Sequence, residues 1–165
     1  MESRTEFDAP WGVTLKLIKM LAIVLIIAVP VISLAAIPRA GAIWQYLLFF
    51  SKLVILFAAA FFMIRGYELT GSELFIKRLG WKSKLNLQDL QTAEIDPEAM
   101  RRSTRLFGNH GLFCYAGLFR NKKLGRYRAY ATDPRLAVVL KFTDKVVVVT
   151  PGRPDRFVAQ IERMK

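Results

Sequence analysis

Two long apolar segments joined by a five-residue hinge constrain this chain more than any other feature. The segments Leu17–Ile37 and Ile43–Ile64 flank the hinge Pro38–Ala42, and each contains one charged residue. A helix with the 21 residues of the first segment is about 31 Å long, which matches the hydrocarbon core of a bilayer. We therefore predict a transmembrane hairpin with helices over residues 17–37 and 43–64, preceded by a cytoplasmic tail over residues 1–16.

The distribution of Lys and Arg predicts how this hairpin is oriented. Arg4, Lys16 and Lys19 lie at the start of the first segment and Arg65 follows the second, whereas the hinge contains only Arg39. Positively charged flanks stay on the cytoplasmic side of a membrane. We therefore predict that both termini, and the whole chain from Arg65 onward, are cytoplasmic.

Lys52 and Pro30 form a candidate contact inside the hairpin. A proline within a helix removes one backbone hydrogen bond and leaves the Ile26 carbonyl without its donor. In an antiparallel hairpin Lys52 lies at the level of Ile26, so its ammonium group is a candidate donor to that carbonyl. The alternative is that Lys52 reaches towards water or faces a polar group of another protomer.

Residues 65–165 show the pattern of a small β-rich domain. Apolar and polar residues alternate in short runs, which predicts β-strands. The clearest runs cover residues 73–79, 90–95, 112–119, 125–131, 136–142 and 146–150. Phe157, Ile161 and Met164 then follow Pro154 at helical spacing. We predict an α+β protein in which about seven antiparallel strands form a bent sheet or partly open barrel, closed by a C-terminal helix.

This domain is strongly basic, with 20 Lys and Arg against 10 Asp and Glu from residue 65 onward. Such an excess favours an anionic partner. Eight of the basic residues form the candidate surface for lipid headgroups or an acidic protein: Arg101, Arg102, Arg105, Arg120, Lys122, Lys123, Arg126 and Arg128. The alternative is that these residues are solvated strand faces without a partner.

No motif of a catalytic or metal site is present in the sequence. His110 is the only histidine and Cys114 the only cysteine, so neither has companions at the spacing that a metal site or a nucleophile needs. Aromatic and basic residues interleave in residues 126–130, but the glycine–aromatic pattern of RNA-binding sheets is missing. We predict no enzymatic activity, no cofactor, no metal and no nucleic-acid partner.

Six short motifs lie between Arg65 and Ile161: Gly108–Phe113, Gly117–Phe119, Leu124–Tyr127, Tyr130–Asp133, Val149–Pro151 and Phe157. Together they resemble the bacterial pleckstrin-homology-like (PH-like) domain family, in its membrane-anchored form. The resemblance implies a seven-strand, bent-sheet domain with a C-terminal helix, usually without enzymatic activity; with the predicted hairpin, it places the protein in the bacterial inner membrane. Eukaryotic relatives bind phosphoinositides through a basic first hairpin loop, but the loop Gly71–Glu73 is short and acidic here.

Two functions follow from these predictions. The favoured one is a noncatalytic, inner-membrane-anchored binding or scaffold module that engages a protein partner, another copy of itself, or anionic lipid headgroups. An exposed sheet edge of such a domain can accept a strand from a partner. The alternative is an accessory or regulatory subunit of a membrane complex or transporter that acts through the hairpin and Lys52.

Overall fold

A computed structural model describes residues 4–36, 42–110 and 114–164. Its helices are α1 (Val13–Ala36), α2 (Ala42–Phe61) and α3 (Pro154–Arg163). The described strands are β1 (Thr5–Asp8), β2 (Ile64–Thr70), β3 (Glu73–Arg78), β4 (Lys82–Asn86), β5 (Leu90–Ile95), β6 (Thr104–His110), β7 (Tyr115–Asn121), β8 (Gly125–Ala131), β9 (Val138–Phe142) and β10 (Val146–Val149).

These strands form two sheets. One sheet has the strand order β1-β2-β3-β4, and the other has the order β5-β9-β10-β8-β7-β6. All described neighbours are antiparallel except β8 and β10, which run parallel. The prediction of about seven antiparallel strands is therefore corrected, because β1 and β6 were not recognised and one pair is parallel.

The six-stranded sheet has a hydrophobic core on each face. Alternation along β10 divides the side chains between the two cores, because successive residues of a strand point to opposite faces. Val147 and Val149 face the main core, which the four-stranded sheet and α3 complete with Tyr67 and Phe157. Val148 faces a second core. The predicted C-terminal helix is present and buries Phe157 and Ile161.

The N-terminal segment predicted as a tail contains a strand of the domain. In β1, Phe7 pairs with Tyr67 of β2, and its buried ring lies edge-on to the Phe157 ring with centroids 5.1 Å apart. Outside the core, Arg4 Nε lies 2.7 Å from Oε1 of the buried Glu68 carboxylate. Strand pairing, ring packing and this ion pair together hold the segment on the domain.

Both N-terminal helices differ from the predicted ones. Leu15 of α1 is buried in the second core, and Ile64, the predicted end of the second helix, begins β2 and is fully buried. Apolar side chains such as Leu21 and Phe57 are exposed along the two helices. The prediction had thus assigned Ile64 to a membrane helix and Leu15 to the tail, whereas both are buried in the domain.

Within the described part of the chain, no helix has the length and apolar character needed to cross a membrane. This contradicts the predicted transmembrane hairpin, and with it the integral membrane protein with two spans. The alternative function as a membrane-complex subunit depended on that hairpin and is withdrawn with it.

A buried tyrosine joins the two sheets. Tyr67 Oη of β2 donates to the Tyr130 carbonyl of β8 at 2.6 Å and accepts from Thr150 N at 3.1 Å. Thr150 Oγ1 in turn accepts from Thr132 N at 2.8 Å, and Thr132 Oγ1 donates to the Pro10 carbonyl at 2.7 Å. Burial raises the pKa of Tyr67 to about 12. Tyr67 therefore stays a neutral hydrogen-bonding group at ordinary pH.

Replacing Phe7 by alanine tests whether β1 is part of the folded domain. We expect Phe7→Ala to lower the free energy of unfolding by about 3 kcal/mol, because it removes a buried ring and leaves a cavity beside Phe157. Phe107→Ala is the matched control, and its effect should stay within about 0.5 kcal/mol because the ring is exposed. Urea unfolding of the full chain, followed by tryptophan fluorescence, measures both. Equal effects of the two variants would contradict the role of β1.

Removing one hydroxyl tests the link between the sheets. We expect Tyr67→Phe to lower the free energy of unfolding by about 1–3 kcal/mol, because the buried Thr150 N–H loses its acceptor. Tyr46→Phe, on the exposed surface of α2, should change it by less than about 0.5 kcal/mol. The same urea titration measures both variants. An unchanged stability of Tyr67→Phe would show that the Tyr67 hydroxyl does not stabilise the contact between sheets.

Candidate functional site

Three of the eight predicted basic residues lie together on one face of the β7–β8 hairpin. Arg120 lies directly opposite Arg126, and Arg128 lies opposite Leu118. Because alternate residues of a strand share a face, Arg126 and Arg128 project from the same side as Tyr130, which packs against the main core. All three arginines are exposed. None of them forms a salt bridge within the described residues.

A β-bulge in β6 adds an aromatic ring to this face. The register shifts between Arg105 and Phe107, and Phe107 therefore lies opposite Leu118. Beside it, Gly108 and Gly117 pair with φ of 106° and 147°, and a Cβ on either would clash with the backbone of the other strand. Only glycine fits this close approach. The bulge thus places Phe107 on the face that carries the arginines, where 80% of its surface is exposed.

Arg101 and Arg102 are not part of this face. They lie in the connection between β5 and β6, where Ala99 packs into the second core on the opposite side of the sheet. The Arg101 guanidinium is also paired with the Glu98 carboxylate at 2.7 Å. These two arginines therefore belong to a different surface from Arg120, Arg126 and Arg128.

The remaining three predicted residues are divided among separate positions. Lys123 is paired with Asp96 at 2.6 Å, and Lys122 lies exposed in the turn between β7 and β8. Arg105 donates to the Gly108 carbonyl at 3.1 Å, beside the bulge. The eight predicted residues thus do not form one continuous patch.

A further arginine, Arg78, is the last residue of β3 and lies beside Tyr130 of β8. It follows the buried Ile76 on the same face of the strand, and only 9% of its surface is exposed. The guanidinium carbon lies 4.4 Å from the centre of the Trp81 ring, 5.6 Å from that of Tyr130 and 5.9 Å from that of Phe62. Three aromatic rings therefore surround a buried cation.

No carboxylate among the described residues neutralises Arg78. Burial lowers its pKa from the usual value, and the Cys114 thiol and the phenols of Tyr130 and Tyr67 partly oppose this. Burial raises the pKa of Cys114 to about 11 and that of Tyr67 to about 12, so both are neutral near pH 7. Nε of Arg78 is buried without a hydrogen-bond partner in the described part of the chain.

Arg78 extends the arginines of the β7–β8 hairpin into one row. The Tyr130 ring next to its guanidinium lies two residues from Arg128 on the same face of β8. We call this row the arginine strip; its members are Arg78, Arg120, Arg126 and Arg128. Guanidinium groups present N–H donors in a fork that matches phosphate and carboxylate oxygens, so the strip is suited to anionic groups.

The other candidate residues add no chemistry to this site. Within the described residues, no cluster of three His, Cys, Asp or Glu side chains is placed to hold a metal ion. His110 is the last residue of β6, and its side chain lies outside the described residues. Lys52 is half-buried in α2, and α1 continues beyond Pro30 to Ala36. The predicted contact of Lys52 with the carbonyl that Pro30 leaves free stays a prediction, whereas the membrane hairpin in which it was placed is contradicted.

Comparison with known proteins gives one match. The family model for the bacterial PH domain matches residues 65–165, which is more than half of the chain. No curated protein and no solved structure is similar enough to count as a match. PH-like domains are generally noncatalytic binding modules. The match covers the arginine strip and α3 and leaves out β1, and on this basis the chain belongs to the bacterial PH domain family.

Proposed function

We propose that this noncatalytic binding module holds the phosphate groups of anionic lipid headgroups with the arginine strip. The observation that carries the proposal is the buried guanidinium of Arg78, which faces no carboxylate among the described residues. Burial of an unpaired charge costs free energy. A bound anion would offset that cost, and charged groups in such perturbed surroundings are frequent at functional sites.

The strip offers several cations to a ligand surface at once. Arg126 and Arg128 are alternate residues of β8, and Arg120 lies across from Arg126, so their side chains share one face. Near an anionic membrane surface each basic residue contributes about 1 kcal/mol to binding. A surface that carries many phosphates can engage the strip along its whole length, whereas a single free phosphate can engage only one or two arginines.

The exposed Phe107 favours lipid over an acidic protein as the ligand. Its ring lies across from Leu118 on the face that carries the arginines. Aromatic rings beside basic residues are typical of the boundary between headgroups and acyl chains. Binding of an acidic protein to the same face is the competing outcome.

Vesicle binding of the full chain tests this proposal. We expect cosedimentation with vesicles of phosphatidylcholine and phosphatidylglycerol, weaker at high salt, and little with pure phosphatidylcholine. Arg126→Gln combined with Arg128→Gln should weaken binding about 30-fold, since two near-surface charges contribute about 2 kcal/mol. The double variant Arg101→Gln, Arg102→Gln removes the same charge from a different surface and should retain more of the binding. Equal binding to both vesicle types would exclude headgroup recognition.

Replacing Arg78 tests whether this residue contributes to lipid binding or only to the stability of the fold. We expect Arg78→Met to leave the free energy of unfolding unchanged or raise it by up to about 2 kcal/mol, because an unpaired buried charge is removed. The same variant should weaken binding to anionic vesicles by about tenfold, because a buried guanidinium no longer meets a phosphate. Arg78→Lys keeps the charge and should have an intermediate effect. Lower stability with unchanged vesicle binding would make Arg78 a structural residue only.

A further inference from the structure

A second candidate site is a groove of about 680 Å³ between β1 and α3, and none of its lining residues belongs to the arginine strip. One wall is formed by Thr5–Asp8 of β1, and the other carries Arg156, Gln160 and Arg163 of α3. The three α3 residues follow one another at helical spacing and so share one side of that helix.

The β1 wall has backbone groups that no other strand of the described residues pairs with. Ala9 N donates to the Arg65 carbonyl at 3.4 Å, and main-chain bonding alternates along an antiparallel pair. Phe7 therefore bonds towards β2, whereas the N–H and carbonyl of Glu6 point towards the groove. β1 is the outermost strand of its sheet in the described part of the chain. Gly152 N already donates to the Asp8 carbonyl at 2.8 Å, so this edge accepts a backbone donor.

The α3 wall is positively charged. Arg153, Arg156 and Arg163 line the groove, and none of them forms a salt bridge with another described residue. Two carboxylates also line the groove. Glu6 is held by Arg4 at 3.0 Å and by Lys77 at 2.9 Å, and Asp8 forms no salt bridge with these arginines in the described part of the chain, so three arginines face two carboxylates. The groove therefore combines a free strand edge with an unpaired row of guanidinium groups.

We propose that this groove binds an extended, acidic segment of a partner protein as an additional strand beside β1. The backbone of the segment would bond to Glu6, and alternate side chains would point towards α3, where carboxylates meet the arginines. Charge complementarity selects an acidic segment over a basic one. The site depends on β1, which lies outside residues 65–165, the part matched by the family.

Backbone and charge are tested with separate variants of the full chain. The probe is a short fluorescein-labelled peptide of alternating glutamate and valine, and its binding is measured by fluorescence anisotropy. Glu6→Pro removes the N–H that faces the groove, at an edge position where proline is tolerated. It should weaken binding about tenfold. Glu6→Ala is the matched control, because it removes the same carboxylate and keeps the N–H, and it should bind within about twofold.

Reversal of one charge tests the other wall. Arg156→Glu should weaken binding of the glutamate peptide about tenfold, whereas Arg101→Glu, on another surface, should not. Equal binding of a lysine–valine peptide, or equal binding by Glu6→Pro and Glu6→Ala, would overturn the proposal. The proposal would also be overturned if the full chain sediments as a dimer that Glu6→Pro dissociates, because a second copy of the chain would then occupy the edge of β1. We expect Glu6→Pro to leave binding to anionic vesicles unchanged. This result would show that the groove and the arginine strip are separate sites.

Discussion

One buried hydroxyl group joins the two sheets by hydrogen bonds within the core that they share. Tyr67 Oη bonds to the Tyr130 carbonyl and to Thr150 N, and Thr132 links the same cluster to Pro10 near the N-terminus. Buried polar groups stabilise a fold only when they are all satisfied. This cluster therefore links the four-stranded sheet, the six-stranded sheet and the N-terminal segment by hydrogen bonds, in addition to the core that the two sheets share.

This cluster also positions the arginine strip. Tyr130 supplies the carbonyl that accepts from Tyr67 and the ring that lies beside the Arg78 guanidinium. The Arg78 cation lies beside this cluster, and among the described residues no carboxylate forms an ion pair with it. Contact with the Trp81 ring offsets part of the cost of burying that cation. A bound phosphate would offset more of that cost. The fully hydrogen-bonded Tyr67 hydroxyl and the unpaired Arg78 guanidinium therefore lie close together in the same fold.

Local patterns in the sequence predicted the elements whose partners are close or whose periodicity is strong, such as Gly125–Ala131 and the helix that buries Phe157. β1 was missed because it is four residues long, has one core-facing aromatic residue, and pairs with a strand some 60 positions away. The candidate patch grouped arginines by nearness in sequence, but pairing and the bulge at Phe107 decide which of them share a face. Arg78 carried a usable signal, because it occupies the inward position after Leu74 and Ile76.

The two proposed surfaces place different demands on the chain. The arginine strip is built from β3, β7 and β8, all within the part that matches the family. The groove needs β1, whose Phe7 packs on Phe157 of α3 while its outer edge faces the arginines of the same helix. The Phe7 side chain of β1 thus completes the core, and the outer backbone edge of the same strand forms one wall of the groove. If the groove binds as proposed, the residues ahead of the part that matches the family supply a second binding surface without altering the first.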